Sequence, residues 1–197
     1  MVLIAGRTQQ AVAGVKTVFA LWICHTGRAA ANCGDVNDMR ANLERLKSLV
    51  APDSGLSDED RSAAYLDLYD DDVILRWQGS DWPFGGDMEG RDRLIACLQA
   101  ASKLFAEPPQ FWESQFWILD EERLLWWWRS RSTTFRGDPF TNSGITLLRY
   151  RDDRICEHWE YTDTEYIARM LRGWRSRVDP EVGALLVNWN DGRDPAA

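Results

Sequence analysis

The sequence predicts a single α+β domain. Apolar residues recur at helical spacing through most of the stretch up to Phe105, and from Phe111 onward they fall into four strand-like runs separated by turn residues. One short strand-like run, Val73–Trp77, sits among the helices. No internal repeat, low-complexity tract or linker divides the pattern, which covers residues 36–175 between an N-terminal extension (1–35) and a C-terminal tail (176–197).

Asn37 or Asp38 can cap a first helix whose apolar positions are Met39, Leu43, Leu46 and Leu49-Val50, with Pro52 ending it. Ser57, with Asp60 three residues on, marks the start of a second helix burying Ala64, Leu68 and Tyr65. That helix stops in the acidic run Asp70-Asp71-Asp72, before the strand Val73–Trp77. Gly79 to Gly90, rich in Gly and Asp around Trp82-Pro83-Phe84, reads as a loop. Arg91 to Phe105 is helical through Leu94, Ile95, Leu98 and Ala101, and Pro108-Pro109 lies beyond its end. The strand runs are Phe111–Leu119, Leu124–Phe135, Ser143–Arg151 and Ile155–Thr162. A short helix over Thr164–Leu171 precedes a tail that reads as loosely attached.

Composition limits the partners. A net charge of −8 and the lack of a basic stripe argue against nucleic acid or an anionic membrane surface. Eleven tryptophans exceed what a core of this size requires, which suggests either an aromatic-lined cavity or interface, or simply a bulky core. Cys24, Cys33, Cys97 and Cys156 have no metal-site spacing and read as reduced thiols in a cytoplasmic protein, although a Cys24–Cys33 bridge stays open. Val12–Cys24 followed by Arg28-Ala29-Ala30-Ala31 has the outline of a signal peptide, but Lys16 interrupts it and the stretch is too short and polar to span a bilayer. It reads instead as an extension, or as residues upstream of a start near Met39. No nucleotide or flavin fingerprint and no metal cluster is visible, so neither cofactor nor metal is expected.

Alternation splits each strand into two faces. In Leu124–Phe135 one face carries Leu125, Trp127, Arg129, Arg131 and Thr133, the other Leu124, Trp126, Trp128, Ser130 and Ser132. Both begin apolar, so both need cover, and a second subunit against an outer face carrying Trp126 and Trp128 is the simplest source. In the last strand, Cys156, His158, Glu160 and Thr162 share a face opposite Ile155, Glu157, Trp159 and Tyr161. An imidazole and a carboxylate two residues apart suit proton transfer, while the same alternation also fits a solvent-facing polar side.

The segments Tyr69-Asp70-Asp71-Asp72-Val73, Gly90-Arg91, Thr146–Ile155 and Glu160-Tyr161-Thr162-Asp163, in that order, resemble the SnoaL-like branch of the NTF2-like superfamily across roughly residues 36–172. The resemblance implies a cone: a strongly curved, mostly antiparallel sheet closed by about three helices around an apolar pocket. Relatives include polyketide cyclases, ketosteroid isomerase and limonene epoxide hydrolase, so the fold leaves the reaction open. By this resemblance Glu160 matches an acid–base position in the last strand, and His158 joins it on the pocket face. Counting back without gaps places Trp127 and Arg129 on that face too, with an arginine where the epoxide hydrolase pattern has aspartate.

The expectation is therefore a cofactor-independent enzyme performing cyclisation, isomerisation or dehydration on an apolar polycyclic or aromatic substrate. Glu160 and His158 would move the proton, and Arg129 would either favour the ionised base or stabilise an oxyanion, unless it forms a purely structural ion pair. Trp127, Trp77, Tyr65 and Trp82 are the substrate-binding candidates, and a homodimer is expected. The alternative is a non-catalytic ligand-binding or dimerisation module of the same fold.

Overall fold

The computed structural model describes residues 38–51, 55–79 and 84–186. The expected N-terminal extension, the Cys24–Cys33 pair and Trp82 lie outside the described residues.

Helix α1 (Met39–Val50) begins at Asp38, whose carboxylate accepts from the Arg40 and Ala41 N–H groups. That settles the choice between Asn37 and Asp38 in favour of the residue whose side chain reaches two first-turn donors. Helix α2 (Asp58–Leu66) is capped by Ser57, whose hydroxyl accepts from Asp60 N–H and donates to the Asp60 carboxylate. The Asp60 carboxylate thus meets the capping hydroxyl itself, whereas the glutamate of a capping box reaches the cap residue's backbone N–H.

Strand β1 (Tyr69–Trp77) takes in the acidic run expected to precede it. Tyr69 is fully buried, while Asp70 and Asp72 both pair with Arg151, so the carboxylates are neutralised along the strand rather than ending in a turn. Strand β2 (Gly86–Glu89) lies within the stretch expected to be loop. It is a four-residue edge strand, too short for alternation to register, with Met88 opposite Leu75. Gly90, at φ 92°, then turns the chain into α3 (Arg91–Leu104).

Strands β3 (Gln110–Ile118), β4 (Arg123–Thr133), β5 (Pro139–Arg151) and β6 (Arg154–Thr162) follow, then α4 (Thr164–Met170), a 3₁₀ turn at Trp174–Ser176 and α5 (Pro180–Gly183). The six strands form one curled sheet in the order β2-β1-β6-β5-β4-β3. Every neighbouring pair is antiparallel except β1 and β6, which run parallel. The architecture is α+β, as expected. The core reaches further along the chain than residue 175, because Val178 and Leu186 are buried in it and α5 packs on α3.

The sheet's inner face holds Leu124, Trp126, Trp128, Leu148 and Tyr150 in one core with residues of all three N-terminal helices. Cross-strand register fixes this face: Trp126, Thr146 and Glu160 form one row, and Trp128, Gly144 and Thr162 the next. Trp126 and Trp128 are therefore buried inside their own subunit and do not line the outer face, contrary to the expectation that they would carry a dimer contact there. The outer face carries Leu125, Trp127, Leu147 and Trp159, with Trp117 and Tyr161 exposed. Among the described residues no helix is long and apolar enough to cross a membrane.

Candidate functional site

His158 and Glu160 project from one face of β6, and the parallel pairing with β1 places Leu75 beside His158 and Trp77 beside Glu160. This pairing joins the first strand of the sheet to the last and carries Tyr69 to the same place. The Tyr69 hydroxyl lies 3.0 Å from His158 Nδ1, and His158 Nε2 lies 3.3 Å from Glu160 Oε2. Tyr65, one helical turn before Tyr69 and at the end of α2, contributes a hydroxyl 2.7 Å from that of Tyr69. Four side chains from three elements thus make one continuous hydrogen-bonded chain: Tyr65, Tyr69, His158, Glu160.

Packing holds the imidazole in place. Its ring lies nearly parallel to that of Tyr69, with 18° between the planes, and meets the Trp77 indole edge-on at 5.5 Å. Trp77 in turn packs against Phe84 at 5.7 Å. The middle of the chain is sealed, with Tyr69 at 1% and His158 at 3% exposure, whereas Tyr65 is half-buried and the Glu160 side chain keeps 20%. Of the four, only the two end residues keep exposed surface.

Burial pushes the Tyr65 phenol up to about 12; the hydrogen bond with Tyr69 opposes this and the charge of Glu160 adds to it. Tyr69 is raised well above the usual phenol range, chiefly by burial and then by Tyr65. Cys97 on α3 is also pushed up by burial, with Arg93 opposing and Glu160 adding. Glu160 shares the inner-face row of Trp126 and Thr146, bonds the buried His158, and keeps 20% side-chain exposure, so its carboxylate lies at the inner face rather than in bulk solvent.

Next to this chain the inner face is aromatic. Phe111, Phe116, Trp126 and Trp128 pack on one another at centroid distances of 4.7–6.2 Å. The Trp128 indole donates to the Thr146 hydroxyl (2.9 Å), and Thr146 is the cross-strand partner of Glu160.

The sequence-derived candidates divide cleanly. Glu160, His158, Trp77 and Tyr65 come together. Trp127 and Arg129 lie on the opposite face of the sheet, where Arg129 pairs with Glu113 at 3.3 Å and stacks over Trp112 at 4.4 Å. The reason is register. Side chains alternate strictly, and pairing sets Trp126 and Trp128, not their odd-numbered neighbours, in the rows of Glu160 and Thr162. Arg129 therefore stabilises no charge at Glu160. Tyr69 was not among the candidates; it opens β1, beyond the end of α2, so no periodicity within one element ties it to Tyr65. Among the described residues no group of three or more His, Cys, Asp or Glu side chains converges to hold a metal ion.

A comparison with protein families gives a match to the SnoaL-like domain over residues 55–158, more than half of the chain. The chain belongs to the SnoaL-like family. Its match begins just before α2 and ends at His158, so it encloses Tyr65, Tyr69, Trp77 and His158 and stops two residues short of Glu160. Solved structures similar to this SnoaL-like chain include an NTF2-like protein of unknown function from Burkholderia pseudomallei, at 20% identity and TM-score 0.57, covering 66% of this chain and 96% of that one. A candidate polyketide cyclase from Xanthomonas campestris is 15% identical with TM-score 0.54, covering 66% and 97%. TerC, co-crystallised with polyporic acid, is 17% identical with TM-score 0.55, again covering 66% and 97%. At these identities the likeness establishes the fold alone. No curated protein sequence matches the chain.

Proposed function

We propose that this SnoaL-like chain is a small-molecule enzyme performing acid–base chemistry (cyclisation, isomerisation or dehydration) on an apolar polycyclic or aromatic substrate. Glu160 transfers the proton and His158 holds its carboxylate in position. The observation that carries this reading is the Glu160 carboxylate, part-exposed at an aromatic inner face and tied to a buried imidazole that is itself held by Tyr69. Such a carboxylate has a fixed position and a buried hydrogen-bonding partner, which acid–base catalysis requires. Trp77 supplies an apolar wall beside it. TerC, co-crystallised with polyporic acid, and the candidate polyketide cyclase among the neighbours support a small-molecule ligand. The buried free thiols of Cys97 and Cys156 fit a reducing, cytoplasmic location.

A second reading, a module that binds an apolar ligand without converting it, draws support from the mutual packing of Phe111, Phe116, Trp126 and Trp128, which fills that part of the inner face with the chain's own rings. The two separate on Glu160→Gln, assayed for binding and turnover against a panel of bicyclic and tricyclic aromatic ketones. The enzyme reading expects retained affinity and a loss of about 10²–10⁴-fold in turnover, the usual worth of a positioned acid–base group. Ligands that bind wild type without any turnover support the binding module instead.

A further inference from the structure

The chain Tyr65–Tyr69–His158–Glu160 has a direction, and that direction has two settings. A carboxylate can only accept, so a neutral imidazole beside ionised Glu160 carries its hydrogen on Nε2 and leaves Nδ1 as an acceptor. The Tyr69 hydroxyl, 3.0 Å from Nδ1, must then donate to it, and its oxygen accepts from the Tyr65 hydroxyl 2.7 Å away. Tyr65, having spent its hydrogen inward, offers only a lone pair outward.

One added proton on the histidine–glutamate pair reverses every link. If the imidazole keeps it, both nitrogens donate. If Glu160 keeps it and donates to Nε2, the imidazole hydrogen moves to Nδ1. In both cases Nδ1 bears a hydrogen, so Tyr69 accepts from it and donates to Tyr65. The Tyr65 hydrogen then points away from the chain. The sealed interior enforces this, because Tyr69 and His158 have no solvent to turn to.

We propose that Tyr65 is the second terminus of the site, coupled to Glu160 through Tyr69 and His158: it accepts from a bound ligand before a proton is gained at Glu160 and donates to a ligand oxygen afterwards. This rests on the acid–base reading of Glu160 and adds to it a group that answers each proton gained at one end with a hydrogen-bond donor at the other. No proton need cross from end to end; the hydroxyls reorient, and the single added proton comes from the ligand or solvent. The titratable and charged groups around the chain are Tyr65 on α2, Tyr69 on β1, Glu160 on β6, Cys97 on α3 and Tyr150 on β5, with Arg45 on α1 and Arg93 on α3 beyond them. Tyr150, buried and with no hydrogen-bond partner for its hydroxyl among the described residues, does not join the chain.

The test is ¹⁵N-histidine NMR on the full chain, which has two histidines, so that His25→Gln leaves one signal. The expected neutral form bears its hydrogen on Nε2; a neutral form protonated on Nδ1 overturns the proposal, and that measurement needs no change at the site. In Tyr65→Phe the titration midpoint of His158 should fall by roughly half to one pH unit, the worth of one modest hydrogen bond. The fall arises because only the protonated setting leaves Tyr69 with an unused donor, which costs more than a spare lone pair. Tyr69→Phe should lower the midpoint too. A midpoint that moves in Tyr69→Phe but not in Tyr65→Phe ends the chain at Tyr69 and overturns the proposal. Turnover is not involved, so an inactive wild type defeats the enzyme reading while leaving this result to be judged separately.

Discussion

Replacing Gly144 by alanine tests whether the inner-face rows are packed as described. A Cβ added at Gly144 would lie 2.5 Å from Trp128 Cζ2, 3.0 Å from Trp128 Cε2 and 2.8 Å from the backbone oxygen of Tyr161. Carbon atoms rest about 3.5–4.0 Å apart, so the intrusion approaches 1 Å. Neither neighbour can yield easily. The Trp128 indole is bonded to Thr146 and flanked by Phe111 and Trp126, and Tyr161 belongs to β6. Overpacking of this kind costs about 1–3 kcal/mol, and loss of the Trp128–Thr146 hydrogen bond adds about 1 kcal/mol. The alanine recovers up to about 1 kcal/mol by restricting the unfolded chain. The net loss expected is about 1–4 kcal/mol, or roughly 2–16 °C in the midpoint of a chain this long. Denaturant and thermal unfolding would measure it. Trp128→Phe in the same chain removes the clashing part of the indole, so the two changes together should cost less than their sum by about 1–2 kcal/mol. A loss below about 0.5 kcal/mol for Gly144→Ala, or strict additivity, would refute the packing argument.

Alkaline pH should destabilise the fold. The Tyr65 phenol has its folded value raised to about 12 from 10.0, so the unfolded chain releases its proton first. The stability it contributes is intact below pH 10 and falls as pH rises toward 12, by about 3 kcal/mol in all. Tyr65→Phe should flatten that decline, and unchanged unfolding midpoints between pH 10 and 12 in both proteins would count against it. Arg129→Met should change stability by less than about 1 kcal/mol, because its ion pair with Glu113 is exposed, and should leave turnover near wild type because it sits across the sheet from Glu160; a slowed reaction would contradict that placement. Sedimentation should show a homodimer at micromolar concentration built on the outer face. Trp117→Glu should drive it to monomer, since Trp117 is one of the large aromatic groups, with Trp112 and Tyr161, left exposed there. A monomeric wild type would remove the dimer.

What the sequence made legible follows the length of each signal. Long periodic elements such as α1, α3 and the last four strands could be read from their apolar spacing, and the acid–imidazole pair on β6 from alternation within a single strand. Features that depend on two strands at once could not. Alternation divides Leu124–Thr133 into two faces without saying which one is inward; only pairing through Thr146 and Gly144 makes that choice, and it places Trp126 and Trp128 inside and Arg129 outside. Strand β2 escaped because it makes its bonds on the sheet edge with only four residues. Tyr69 escaped because the acidic residues after it resemble a turn, whereas in the fold their charge is met by Arg151 from a segment about eighty residues away.

The parallel partnership of β1 with β6 also sets a timetable for the growing polypeptide. Residues 69–77 are synthesised early, but one of their two flanking strands is made only at residues 154–162. Until then β1 and β2 present an open row of backbone donors and acceptors to anything nearby, the situation in which unfinished chains mispair. Three consecutive aspartates at the start of that strand repel a second copy of the same strand, and they lose much of this repulsion once Arg151 has been made and meets Asp70 and Asp72. Because β6 lies between β1 and β5, Arg151 comes against the acidic run as β6 takes its place. The groups of the site, separated in sequence by up to 95 positions from Tyr65 to Glu160, come into being together in that last step of assembly.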